Sequence, residues 1–168
     1  MQKYRKTLLI FIGVILLVGC DLSTKRIAQD YLQGQPLKSL LNGSVKLVYA
    51  ENSGGMLSMG SSLSNETKFV IFQLFIGIML TVFLAYIIFN KKLTQLQTFA
   101  FLLFFSGGVG NLIDRVLNGG AVIDFLVLHA FGLHTGIFNV ADVYIMTGAG
   151  LFILSNFLIK KRPEVIEF

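Results

Sequence analysis

Asp124 and Asp142 stand close to long uncharged stretches of this chain, where holding an ionised carboxylate costs several kcal/mol. Acids kept in such a place usually serve function. Two aspartates a few ångströms apart cannot both ionise, because like charges in a low-dielectric site push one pKa up, so the pair holds one proton as a unit. The ionised member can take a proton from water as it attacks a peptide carbonyl, while the protonated member donates to the carbonyl oxygen. Such a pair needs no metal and no cofactor, and its activity should survive chelation.

Other hydrolytic arrangements are poorly supplied. There is no G-x-S-x-G elbow, and Cys20, the single cysteine, closes an apolar run and rules out an internal disulfide framework. Ser23 and Lys25 are two apart, so they do not face each other on a helix. His129 and His134 are the only histidines and lie outside any HExxH pattern. They are expected as polar loop residues at the water interface, with no metal site.

The neighbourhood of the aspartates is polar in a patterned way. In Gly107-Gly108-Val109-Gly110-Asn111-Leu112-Ile113-Asp114-Arg115 the small residues allow close helix approach, and Asn111, Asp114 and Arg115 share one helical face. Asp114 and Arg115 are expected to cap and anchor the end of that helix. In Phe138-Asn139-Val140-Ala141-Asp142, Asn139 lies three residues before Asp142 and can bond the site or cap the following helix.

These residues must be carried by elements suited to lipid. The 168 residues are 54% hydrophobic and 14% charged, with a mean hydropathy of +0.73, too apolar for a soluble domain of this length. The expected fold is a mainly α membrane protein: one four-transmembrane-helix bundle with a small extracytoplasmic β unit. Spans are expected over residues 7–28, 69–90, 93–113 and 139–159, leaving outer segments 29–68 and 114–138. Ser44 to Ala50, preceded by an Asn42-Gly43 turn, reads as one strand, and Ala121-Val122-Ile123-Asp124-Phe125 as a second.

Basic residues set the orientation. Lys3, Arg5 and Lys6 precede the first span, Lys91 and Lys92 separate the second and third, and Lys160, Lys161 and Arg162 follow the fourth. All three clusters are therefore expected on the cytoplasmic side. Every acidic residue except Glu164 and Glu167 then falls on the outer side. The +5 net charge is topogenic on this reading, and no basic face interleaved with aromatics suggests nucleic acid. The tail after Lys161 should be exposed and dispensable.

Helix rise estimates depth. At roughly 1.5 Å per residue, Asp21 lies about 22 Å beyond Lys6, Asp142 about 27 Å before Lys160 and Asp114 about 33 Å beyond Lys92. With Asp124 a short loop further on, four carboxylates from separate parts of the chain should meet at one depth.

At these residues the chain resembles the lipoprotein signal peptidases, the type II signal peptidases, aspartic peptidase family A8. Five blocks match in family order: Asp21-Leu22-Ser23-Thr24-Lys25, Glu51-Asn52-Ser53-Gly54, the run from Gly107 to Arg115, Val122-Ile123-Asp124-Phe125, and the run from Phe138 to Asp142. The second departs from the usual pattern just beyond, at Gly55-Met56-Leu57. The resemblance implies that Asp124 and Asp142 are the catalytic dyad. It implies that Asp21, Lys25, Asn52, Gly54, Asn111, Asp114, Arg115, Asn139 and Ala141 support the site or bind substrate. The implied substrate is a diacylglyceryl-modified prolipoprotein cut just before its lipidated cysteine. The protein would be a monomer in lipid of the bacterial inner membrane, both termini cytoplasmic and the active site at the outer face.

Two rival readings remain at this level. Leu17-Val18-Gly19-Cys20, after basic and apolar residues, has the form of a lipobox, so the chain could itself be a lipoprotein processed at Cys20. The membrane carboxylates could instead relay protons in a small transporter.

Overall fold

The computed structural model describes residues 2–160; the tail beyond lies outside the described residues. Four helices are long and apolar enough to cross a membrane: α1 (Gln2–Leu32), α2 (Asn65–Phe89), α3 (Gln95–Leu117) and α4 (Val140–Lys160). The protein is a multi-pass membrane protein.

Local chemistry explains where the helices begin. Ser64 caps α2 by accepting from the Thr67 backbone N–H at 3.3 Å, so that helix starts ahead of the expected residue 69 and carries Lys68. Thr94 and Gln97 form a reciprocal capping box at the start of α3, both bonds at 3.1 Å. Within α2 the segment Phe69–Phe75 winds as π-helix, a local widening frequent at functional sites. α1 runs on past Ala28 to Leu32, because its last turns are buried rather than released into a loop.

Apolar side chains join the first three helices in a core of Ile10, Leu80, Ile87 and Phe105. The α3 and α4 backbones approach closely where Gly107 lies against the Ala141 carbonyl and Gly148 against Ala100 and Phe104, contacts that a Cβ would block. Phe101 stacks against Phe152 of α4 with ring centroids 4.8 Å apart. Leu8, Ile15, Val82 and Met146 point outward and exposed, as lipid-facing residues do.

Four antiparallel strands, β1 (Lys38–Leu40), β2 (Val45–Asn52), β3 (Val122–Ala130) and β4 (Leu133–His134), form one sheet in that order. A register irregularity between Leu47 and Ala50 interrupts the β2–β3 pairing just before Asp124 pairs with Ala50. Phe125 of β3 packs with Ala28 and Leu32, which seats the sheet on the C-terminal end of α1. His129 and His134 are opposed across the β3–β4 hairpin, which corrects the loop placement expected for them.

Candidate active site

The sheet and the ends of α1, α3 and α4 enclose a polar layer centred on Lys25. This side chain is 1% exposed, and its Nζ lies 2.9 Å from each of Asp21 Oδ2, Asp114 Oδ2 and Asn111 Oδ1. Two carboxylates and an amide oxygen thus surround the ammonium, which is what makes a buried lysine tolerable. Asp21 and Lys25 are a helical i, i+4 pair; Asp114 and Asn111 come from α3.

Both acids of this triad also hold backbone. Asp21 Oδ1 accepts from the Ala141 N–H at 2.8 Å, tying α1 to the first turn of α4. Asp114 Oδ2 accepts from the Ile123 N–H at 3.1 Å and so fixes the start of β3. Asp114 therefore does not cap its helix as expected. α3 continues to Leu117, and burial at 3% exposure turns the carboxylate inward to Lys25. Gly110 makes room for Asp21, since a Cβ there would collide with Asp21 Oδ2.

Asn139 stands between the two remaining aspartates and is fully buried. Its Nδ2 donates to Asp124 Oδ1 at 2.7 Å, and its backbone N–H donates to Asp142 Oδ2 at 3.1 Å. In return Asn139 Oδ1 accepts from the Asp142 N–H at 3.0 Å, so the pair closes a capping box at the N-terminus of α4. Both roles anticipated for Asn139 are present together. Asn111 Nδ2 donates to Asp142 Oδ1 at 2.9 Å, and Asn52 Nδ2 donates to Asp124 Oδ2 at 3.2 Å.

The two carboxylates differ in environment. Asp124, on β3 and 4% exposed, has its pKa pushed up to about 6, first by burial and then by the charge of Asp142. Asp142 is partly accessible, and it sits in the first turn of α4, where the helix dipole favours negative charge.

A loop closes the layer from one side. Asn52 Oδ1 accepts from the Gly54 N–H at 3.0 Å, turning the chain sharply after β2, and Gly54 lies so near Ser58 and Met59 that a Cβ has no space. Arg115 reaches this loop. Its Nη2 donates to the Gly54 carbonyl at 2.8 Å and its Nη1 to the Asn111 carbonyl at 3.1 Å. The guanidinium lies 5.5 Å from the centroid of the Phe72 ring, in the π-helical segment.

The eleven residues that the resemblance assigns to the site, from Asp21 to Asp142, thus join one connected network, through Lys25 on one side and Asn139 on the other. Phe72 was not anticipated, because an aromatic in an apolar span carries no signal of its own. Nor was the fit of Gly110 to Asp21, which looks in sequence like ordinary small-residue packing. Glu51 points away, exposed, and accepts from the Tyr49 hydroxyl at 2.8 Å. Among the described residues no group of three His, Cys, Asp or Glu side chains is placed to hold a metal ion.

A four-helix membrane protein that keeps two neighbouring carboxylates on a shared asparagine, backed by a buried lysine, has the equipment of an intramembrane hydrolase. A family model described as signal peptidase (SPase) II, Peptidase_A8, matches residues 13–158. The chain is 32% identical to the lipoprotein signal peptidase of Borreliella burgdorferi (strain ZS7), over 91% of this chain and 92% of that protein. It is 33% identical to the lipoprotein signal peptidase of Francisella tularensis subsp. mediasiatica (strain FSC147), over 96% and 99%. Two solved structures, each described as a bacterial membrane enzyme studied by the in meso method, superpose with TM-scores of 0.78 and 0.74. Their identities are 25% and 27%, and they cover 95% and 91% of this chain and 93% and 94% of their own. The chain belongs to the signal peptidase II family and is a peptidase.

Proposed function

We propose that this protein removes the signal peptide from diacylglyceryl-modified prolipoproteins by aspartic catalysis, cutting before the lipidated cysteine, with Asp124 and Asp142 as the catalytic pair. The observation that carries this reading is the bridging of both carboxylates by Asn139. A water held by the pair attacks the scissile carbonyl; Asp142 accepts its proton while Asp124 donates one to the carbonyl oxygen, giving a tetrahedral diol. Collapse breaks the C–N bond as the proton on Asp142 passes to the leaving amine of cysteine. A proton from the diol hydroxyl returns to Asp124, and the pair recovers its starting state.

The raised pKa of Asp124 supports its role as the acid, and the two N–H donors on Asp142 in the first turn of α4 support its role as the base. Lys and Arg placement supports cytoplasmic termini and an active site at the outer face of the membrane. The acyl chains of the substrate then lie in the outer leaflet while the scissile bond reaches the polar layer.

Family membership speaks against a transporter. Packing speaks against processing at Cys20, because Ile10 and Val18 ahead of it and Asp21 and Lys25 behind it are all buried parts of one helix. The deciding assay is cleavage of a lipidated prolipoprotein by wild type, Asp124→Asn and Asp142→Asn. Each variant should lose roughly 10²-fold or more in rate. Undiminished cleavage by either would refute the pair.

A further inference from the structure

At the end of the bundle opposite Asp124 and Asp142, α1, α2 and α3 leave an open groove of about 820 Å³. Ile10, Leu9, Phe99 and Leu102 form its apolar wall, and Lys6 and Lys91 stand at it as the two cations. Lys6 is only partly buried and donates to the Asn90 carbonyl at 3.2 Å, which holds its ammonium beside the link between α2 and α3. No Asp or Glu occurs within residues 2–20, 67–113 or 143–160, so no carboxylate in those helical stretches neutralises the pair.

We propose that this groove is a binding site for one anionic phospholipid, with the phosphate between Lys6 and Lys91 and an acyl chain along the apolar wall. Charge selects the head group: two lysines lining one groove at the end of transmembrane helices favour a phosphodiester that carries net negative charge. Shape selects a diacyl lipid over a free anion, because most of the lining beside the two lysines is apolar and offers a phosphate ion alone nothing to hold. The site is remote from the carboxylates and its occupancy does not depend on the peptidase reading.

Native mass spectrometry of the full-length protein, released from micelles containing phosphatidylglycerol or phosphatidylcholine with identical chains, tests this. Wild type should retain one phosphatidylglycerol and not phosphatidylcholine. A Lys6→Gln, Lys91→Gln double variant should lose that retention by roughly tenfold or more, given the attraction of each lysine for anionic lipid. A Lys6→Arg, Lys91→Arg variant should keep it. Lys92→Gln, a neighbouring exposed charge outside the groove, should also keep it. Equal retention of the two lipids, an unaffected double variant, a loss in Lys92→Gln as large as in the double variant, or displacement by inorganic phosphate would each overturn the site.

Discussion

Lys25 and Asn111, 86 residues apart, meet at 2.9 Å, and that bond determines which end of the Asn111 amide faces Asp142. An ammonium has no acceptor, so Asn111 must turn its Oδ1 toward Lys25, and its Nδ2 then points at Asp142 Oδ1. A buried residue on α1 thereby orients a hydrogen bond to a carboxylate on α4 that it does not touch.

Replacing Lys25 by Met should therefore harm folding and chemistry together. Asp21 and Asp114 would face each other buried with no cation, and breaking such a cluster costs about 3–5 kcal/mol. Thermal unfolding in detergent should report a large loss. Adding Asp114→Asn should recover part of the stability, since the repulsion disappears; no recovery would show that the triad is not what Lys25 neutralises.

Asp124 should titrate well above an ordinary aspartate. Its folded pKa of about 6 against an ordinary value of 3.8 means that the folded state binds the proton more tightly than the unfolded chain. The associated stability is present at low pH and is lost as pH rises through that window, because ionising a buried carboxyl beside Asp142 is unfavourable. The difference in melting temperature between wild type and Asp124→Asn, followed from pH 3.8 to 6, should shift against wild type. A protonated-carboxyl infrared band absent from Asp124→Asn should fade near the upper end.

Gly110→Ala should be costly where Gly19→Ala is not. The added methyl at Gly110 strikes the Asp21 carboxylate and pushes it off Lys25 and the Ala141 N–H, an overpacking expected to cost about 1–3 kcal/mol. Nothing lies within 4 Å of a Cβ at Gly19, where alanine should be neutral or stabilising by its helix propensity. Similar melting temperatures for the two variants would contradict the close fit of Asp21 to α3.

Arg115→Lys keeps the charge and loses the fork. Lysine cannot span the Asn111 and Gly54 carbonyls at once, so the loop after β2 should loosen. Hydrogen exchange should quicken at Gly55, whose N–H is bonded to the Met59 carbonyl at 2.8 Å, while the amides of α4 stay protected. Unchanged exchange there would mean that Asn52 alone holds the loop.

The sequence by itself determined the membrane class and the presence of four spans, because hydrocarbon admits only long uncharged runs. It also marked the polar residues of the layer, since an Asp, Asn or Lys in such surroundings is conspicuous by its cost. Asp21 and Lys25 could even be paired from their spacing of four. What lay beyond it were relations across elements. No local pattern says that Asn139 bridges Asp124 of β3 to Asp142 of α4, that Gly110 is hollowed for Asp21, or that Phe72 lies against Arg115. The His129–His134 pairing and the inward turn of Asp114 likewise depend on strand register and burial. Such contacts join residues distant in the chain, and only close packing of the folded bundle decides which polar atoms are left to meet.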